Sequence, residues 1–310
     1  LQKGSTVYFQ ELCRSKKGKI RREVKKMKIS LVQMDILKGK PEANTEKVRE
    51  MTERASSEKP DIIVLPEMWN TGYSLANIRE IADRQGTMTK EIIGGLARKH
   101  DVNIVAGSVS NLVGREVFNT MFIFDRKGKV VGEYSKIHLF RLMEEHKYLS
   151  AGNSICSFQL EGISCGGIIC YDLRFPELVR LLALRGVKLL FIPAEWPHPR
   201  LDHWRTLIKA RSVENQFFTI ACNRTGNDGK SEFFGHSMVV DPWGDIIGEL
   251  EEPVEDILTV ELDLDLVEKA RRAIPVFGDR KPGVYECSFN ADLLDDQNMD
   301  LDGGLELNIP

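Results

Sequence analysis

Apolar and polar residues alternate over Lys28-Ile29-Ser30-Leu31-Val32-Gln33, the period of a strand with one buried face. Helical spacing follows. From Pro41 to Ser57 apolar residues recur at Ala43, Val48, Met51 and Ala55, with Glu42 and Glu46 near the start. Asp61-Ile62-Ile63-Val64-Leu65 is then almost continuously apolar, as in a strand buried on both faces. Helical stretches are predicted over 75–83 and 88–99, and strands over 103–108, 117–125 and 130–134. Arg126-Lys127-Gly128-Lys129 makes a hairpin turn between the last two strands. Residues 140–152 are irregular and polar and read as a loop. Strands over 156–160 and 163–170 lead to a helix over 175–185, a buried strand over 187–193 and a helix over 202–214 with Asp202 as its N-cap. Further strands are predicted over 217–223, 237–241, 245–250 and 256–263, and a last helix over 264–272.

Strands and helices alternate through the first two thirds, and strand pairs dominate the last. The pattern predicts an α/β layered sandwich with mixed sheets and helices outside. No repeat and no Pro/Gly/Ser-rich linker interrupts residues 27–288, which read as one domain. Residues 1–26 carry a basic run from Arg14 to Lys26 without apolar patterning. They read as a disordered or appended leader, the alternative being an arm for nucleic acid or a membrane surface. Met27 then stands as a plausible natural start. The acidic stretch 289–310 reads as a disordered or appended tail.

Composition narrows the function classes. The net charge of -3 over 310 residues argues against nucleic acid as a general partner. No apolar run approaches the roughly 20 residues of a membrane span. Cys13, Cys156, Cys165, Cys170, Cys222 and Cys287 form no C-x-x-C pair and no zinc pattern, so no metal site is expected. Free thiols in a reducing cytoplasm are the expected state.

Three reactive side chains follow predicted strands: Glu67 after 61–65, Lys136 after 130–134 and Cys170 at the end of 163–170. Open α/β sheets gather their ligand groups at strand carboxyl ends. The three types are complementary. A thiol needs a base to become a nucleophile. A buried carboxylate with its pKa raised toward neutrality supplies one, and an ammonium steadies the developing oxyanion. A helix starting just after Cys170 would also lower the thiol pKa. Against this, Cys170 is equally the pattern of a buried structural thiol, and an isolated lysine is ordinarily on the surface. His138, His198, His203 and His236 stay open as alternative bases.

Leu65-Pro66-Glu67, Tyr134-Ser135-Lys136-Ile137-His138-Leu139-Phe140 and Ile169-Cys170-Tyr171-Asp172-Leu173-Arg174-Phe175-Pro176-Glu177 resemble the three signature segments of the nitrilase superfamily of carbon–nitrogen hydrolases. Ala210-Arg211-Ser212-Val213-Glu214-Asn215, Gly235-His236-Ser237 and Asp241-Pro242-Trp243-Gly244 extend the likeness over about 27–285. The resemblance implies a four-layer αββα sandwich that pairs into a homodimer or larger assembly. It implies Cys170 as nucleophile, Glu67 as general base and Lys136 as the third catalytic member, with no cofactor. It also implies a second glutamate, matched best at Glu145, with Glu144 one register away. The chemistry implied is acyl transfer from an amide through a thioester, with Lys136 and the Tyr171 N–H holding the oxyanion.

Ala194-Glu195-Trp196-Pro197 and Arg200-Leu201-Asp202-His203-Trp204 resemble the omega-amidase branch, which deamidates 2-oxoglutaramate. Such a substrate carries a carboxylate at its far end, and Arg174 is the candidate cation for it. The competing role for Arg174 is an internal ion pair with Asp172 or Glu177. Trp196 and Tyr73 are candidate walls, and Glu195 a candidate polar contact. A general aliphatic amidase, a nitrilase, an N-carbamoyl amidohydrolase, an acyltransferase or a silent scaffold remain open on the same segments.

Overall fold

Lys26–Gln33 forms the expected strand, and it lies inside the molecule between a parallel and an antiparallel neighbour. The computed structural model describes residues 26–285. The leader up to residue 25, with Cys13, and the tail from residue 286, with Cys287, lie outside the described residues.

Two main sheets are built from the described residues. In the first, Lys26–Gln33 pairs antiparallel with Asp256–Asp263 and parallel with Ile62–Val64, which pairs parallel with Asn103–Val105. Glu116–Phe124 then adds antiparallel, and it also pairs with Val109–Val113 and Val130–Ser135. In the second sheet, Leu189–Ala194 lies between parallel neighbours Ile163–Gly167 and Phe218–Asn223. Cys156–Leu160, Met238–Val240 and Ile246–Glu249 extend it by antiparallel pairing.

The sheets meet through their apolar faces. Cys222 in the second sheet donates its thiol to the carbonyls of Val32 and Val64 in the first. Helices Pro41–Ser56 and Thr87–His100 cover the first sheet, burying Val48, Met51, Ile93 and Leu96 against Val32, Ile63 and Ile104. Pro176–Leu184 and Leu201–Asn215 lie on the second sheet's side. The order of layers is αββα, as the resemblance implied. Residues 274–285 belong to a separate compact unit with two one-turn helices, Val276–Asp279 and Pro282–Tyr285.

Several local expectations change. Residues 75–83 are not one helix but a 3-10 turn, Leu75–Asn77, a helical turn, Ile78–Ile81, and a short strand, Asp83–Arg84. The loop 140–152 contains a one-turn helix, Glu145–Tyr148. The helix after residue 200 starts at Leu201 with Arg200 as N-cap, so Asp202 sits inside its first turn. A hairpin of Thr225–Asn227 and Glu232–Phe234 escaped the sequence pattern because Asn227-Asp228-Gly229-Lys230 dilutes its apolar signal. The strand before Cys170 ends at Gly167, and the cysteine opens a 3-10 turn, Cys170–Arg174, ahead of the α-helix.

Candidate active site

Glu67 leaves the strand Ile62–Val64 through Leu65-Pro66, and the neighbouring chain fixes its path. Leu65 N–H donates to Val105 O and Ser108 N–H to Pro66 O. Gly107 makes that approach feasible. Its φ is +57°, and a Cβ there would stand 1.9 Å from Pro66 O. Lys136 follows Val130–Ser135, its backbone N–H held by Asn119 O. Glu145 opens its short helix with its N–H on Phe140 O. Three elements thus deliver three charged side chains to one buried point.

The carboxylate of Glu67 is saturated on one side. Oε1 accepts from Tyr73 Oη at 2.6 Å, Asn119 Nδ2 at 2.8 Å and Lys136 Nζ at 2.9 Å. Oε2 accepts the Glu195 backbone N–H at 2.7 Å. The Cys170 thiol lies near the same carboxylate and interacts with it electrostatically. Lys136 Nζ also donates to Glu145 Oε1 at 2.8 Å and to Tyr73 Oη at 3.2 Å. Glu67, Lys136 and Glu145 are all buried. The register between the adjacent glutamates is therefore settled in space: Glu145 is inside the cluster, and Glu144 is exposed and pairs with Lys147.

Protonation departs from the expectation. Burial pushes Glu67 up, but the Lys136 ammonium and the Tyr73 hydroxyl outweigh it, so the carboxyl sits below its ordinary value rather than near neutrality. Burial and the negative charge of Glu67 push the Cys170 thiol well up. A helix N-terminus does not counter this, because a 3-10 turn intervenes before the α-helix. Burial works against the Lys136 ammonium, yet Glu145 and Glu67 hold it well above its usual pKa. Burial raises Glu145, with Glu67 adding to it against Lys136. The resting site is a neutral thiol facing an ionised carboxylate.

Cys170 has φ +45°, in the left-handed region that non-glycine residues rarely occupy. Such a conformation costs about 1–3 kcal/mol and persists where the surroundings enforce it. Asp172 supplies the enforcement. Its Oδ2 accepts Ile169 N–H at 3.0 Å and Tyr134 Oη at 2.7 Å, and its Oδ1 accepts His138 N–H at 3.0 Å. His138 Nδ1 lies 2.7 Å from the same oxygen, and its ring stacks on Phe175 at 3.5 Å. His138 is thus engaged as a brace for the turn. His236 pairs with Glu249, His203 meets Arg174, and His198 packs against Phe234. None of the four candidate histidines contacts Cys170 among the described residues.

A small cavity of about 20 Å³ opens beside the thiol, lined by Phe140, Cys170, Tyr171, Arg174, Glu195, Trp196, Pro197 and Arg200. It has room for about one water. Arg174 lies over the Trp196 ring at 4.9 Å, and its expected partners are engaged elsewhere or apart from it. Asp172 is bound as described, and no carboxylate pairs with Arg174 or Arg200 among the described residues. Tyr171 packs its ring on Phe140 and Phe175. Tyr73 is not a simple wall: its hydroxyl belongs to the charged cluster, and its ring faces a larger cavity of about 550 Å³ lined also by Lys38, Leu142, Met143 and Asp228. That second cavity touches neither Cys170 nor Glu67, so the chemistry is assigned to the smaller one.

Asn119, Asp172 and Arg200 were missed as site residues in the sequence. Asn119 is one polar position in an alternating strand, and Arg200 one cation in a polar loop. Asp172 lay within a quoted segment, but its bracing role needs the fold.

A family model described as carbon–nitrogen hydrolase matches residues 28–272. The chain is 47% identical over 260 residues to a 2-oxoglutaramate amidase of Bacillus subtilis (strain 168), covering 84% of this chain and 100% of that one. It is 32% identical to an omega-amidase of Saccharomyces cerevisiae over 84% of this chain and 95% of the relative. A solved yeast structure, from branch 10 of the nitrilase superfamily, superposes with a TM-score of 0.77 at 30% identity, covering 83% of this chain and 96% of that one.

Proposed function

The chain belongs to the carbon–nitrogen hydrolase family, and from that premise we propose that it hydrolyses the terminal amide of a small substrate bearing a distant carboxylate, an omega-amide of the 2-oxoglutaramate type. Hydrolysis of a carbon–nitrogen bond other than a peptide bond follows from the family and its amidase members. The observation that carries the substrate class is the pair of arginines beside Cys170. Arg174 and Arg200 line the same cavity as Cys170, and among the described residues no carboxylate pairs with either. Planar guanidinium forks suit a bidentate carboxylate. The names of the relatives in Bacillus subtilis and yeast support the same class.

The reaction proceeds from the resting pair of neutral thiol and carboxylate. Cys170 Sγ attacks the amide carbon as its proton passes to Glu67. The carbonyl oxygen becomes an oxyanion facing Lys136 Nζ and the Tyr171 N–H. Glu67 returns the proton to the amide nitrogen, the carbon–nitrogen bond breaks, and ammonia leaves a thioester. Water then gives a proton to Glu67 and attacks the thioester. The thiolate departs and recovers its proton from Glu67. Glu145 holds the Lys136 ammonium from its far side.

We place the enzyme in the cytoplasm, where the buried free thiols Cys156, Cys165, Cys170 and Cys222 stay reduced. No helix among the described residues is long and apolar enough to cross a membrane. A homodimer is proposed through the outer face of the helix pair Pro176–Leu184 and Leu201–Asn215, which exposes Leu181, Leu184 and Val213.

An ammonia-release screen tests the activity. The panel is 2-oxoglutaramate, a nitrile of the same length and an N-carbamoyl amino acid, with Cys170→Ala as the blank. Ammonia from the omega-amide above all others is expected. A new amide formed from added amines in place of free acid would make the protein an acyltransferase and overturn the proposal.

A further inference from the structure

Arg224 is fully buried, carries no role in the mechanism above and joins both sheets. It follows the strand Phe218–Asn223 of the second sheet. Its Nη2 donates to Asp35 Oδ1 and Ile36 O at 2.8 Å each, just past the first strand of the other sheet. Its Nε donates to Thr225 O at 3.1 Å, and its guanidinium lies over the Phe233 ring at 4.1 Å. Its Nη1 donates to Glu195 Oε2 at 3.0 Å. Glu195 in turn points its backbone N–H at Glu67 Oε2.

The two oxygens of Glu67 are not equivalent. Oε1 already accepts three donors, from Tyr73, Asn119 and Lys136. A carboxylate oxygen has two in-plane lone pairs. The thiol proton therefore goes to Oε2, whose one other donor is the Glu195 N–H. The direction of the remaining lone pair is set by that N–H.

We propose that Arg224 is a positioning residue for Glu67, acting through the Glu195 backbone N–H to aim Oε2 at the Cys170 thiol. A guanidinium is suited to this because its fork holds two sheet ends and a side chain in one plane. The backbone beside Glu195 is held by Arg224 N–H on Ala194 O and by Trp196 N–H on Asn223 Oδ1, while its carboxylate is held by Arg224 at Oε2, its Oε1 being buried without a partner among the described residues. The inference rests on Glu67 being the base.

The test compares Arg224→Lys with the parent enzyme. Lysine keeps the charge and removes the planar fork. The titratable groups facing Glu67 are Tyr73, Lys136, Glu145, Cys170 and Glu195, and the substitution leaves each in place. The Glu195 N–H stabilises the charged form of Glu67, so loosening it raises the Glu67 pKa. The expected result, per active site counted by the iodoacetamide uptake that a Cys170→Ala counterpart loses, is kcat lower by about tenfold or more with KM within about twofold. The acid limb of kcat/KM shifts to higher pH. A purely structural role would lower melting temperature and active-site count and leave the limb where it was. Asp35→Ala loosens the same guanidinium from the partly exposed end, and decides the matter if Arg224→Lys fails to fold. It should move kcat and the limb in the same directions by smaller amounts. A folded variant of either kind with unchanged kcat and an unmoved limb overturns the proposal, as does a rise in KM at constant kcat. Glu67→Gln is run beside them. If that variant keeps full turnover, the base itself is misassigned, an outcome separate from failure at Arg224.

Discussion

Cys170 rests as a thiol because burial and Glu67 both oppose its ionisation. Many cysteine enzymes keep a thiolate next to a cation; here the neighbouring carboxylate opposes the thiolate. The difference in absorbance near 240 nm between the parent and Cys170→Ala should therefore show no thiolate through the ordinary cysteine range of about 8.5, and a difference signal at neutral pH would contradict the resting state. Iodoacetamide should still label Cys170 before the other buried thiols. Burial raises Cys156 to about 11 and Cys165 to about 12, and neither lines the cavity onto which Cys170 opens. Glu67→Gln keeps the shape and most donors but removes the acceptor. Its turnover should fall by roughly 10²–10⁴. His138→Ala acts through the Asp172 brace and should cost far less; the reverse ranking would make the histidine the base. Because Glu67 sits below its ordinary pKa, its carboxylate survives as pH falls, and activity should be lost on the acid side only below the usual carboxylate range.

At the scale of elements, the site depends on close approach between loops that follow strands. Gly107 illustrates it: Ala there meets both a positive φ and the Pro66 carbonyl, so Gly107→Ala should destabilise by more than about 1 kcal/mol. Since the backbone it would displace leads directly into Glu67, kcat should fall as well as melting temperature. Unchanged stability by thermal melting would show that the loop yields easily. The same elements explain what was legible beforehand. Ile62–Val64 and Leu189–Ala194 are buried on both faces, and their apolar runs announced them without the fold. Glu67 was readable because it punctuates such a run, and Lys136 and Cys170 because each follows a predicted strand. Arg200 and Asn119 were not, since their meaning comes from segments far apart in sequence meeting in space. The direction of the Glu67 and Cys170 pKa values was misread for a related reason. Burial was visible in the pattern, but the donors and charges opposing or reinforcing it come from Tyr73, Lys136 and Glu145, which only the fold assembles.

At the scale of the molecule, the two sheets meet at a rim where Glu67, Lys136 and Glu195 come together, and Arg224 ties the sheets together there. The outer helices remain available for assembly. Leu181→Glu, on the exposed face of Pro176–Leu184, should convert the proposed dimer to a monomer in sedimentation velocity; an unchanged sedimentation coefficient would place the interface elsewhere. A chain trimmed to 27–288 is expected to fold and turn over as the full chain does, and loss of activity on removing 289–310 alone would give that tail a role. The whole rim is proposed to serve a substrate with an amide at one end and a carboxylate at the other. The most direct measurement is kcat/KM for succinamate against butyramide, amides of matched length that differ in the far carboxylate. With Arg174 and Arg200 receiving that group, the charged amide should be favoured by about tenfold or more, since a charge-assisted hydrogen bond contributes roughly 1.5–3 kcal/mol. Equal values for the two amides would contradict the omega-amidase assignment and leave a general aliphatic amidase.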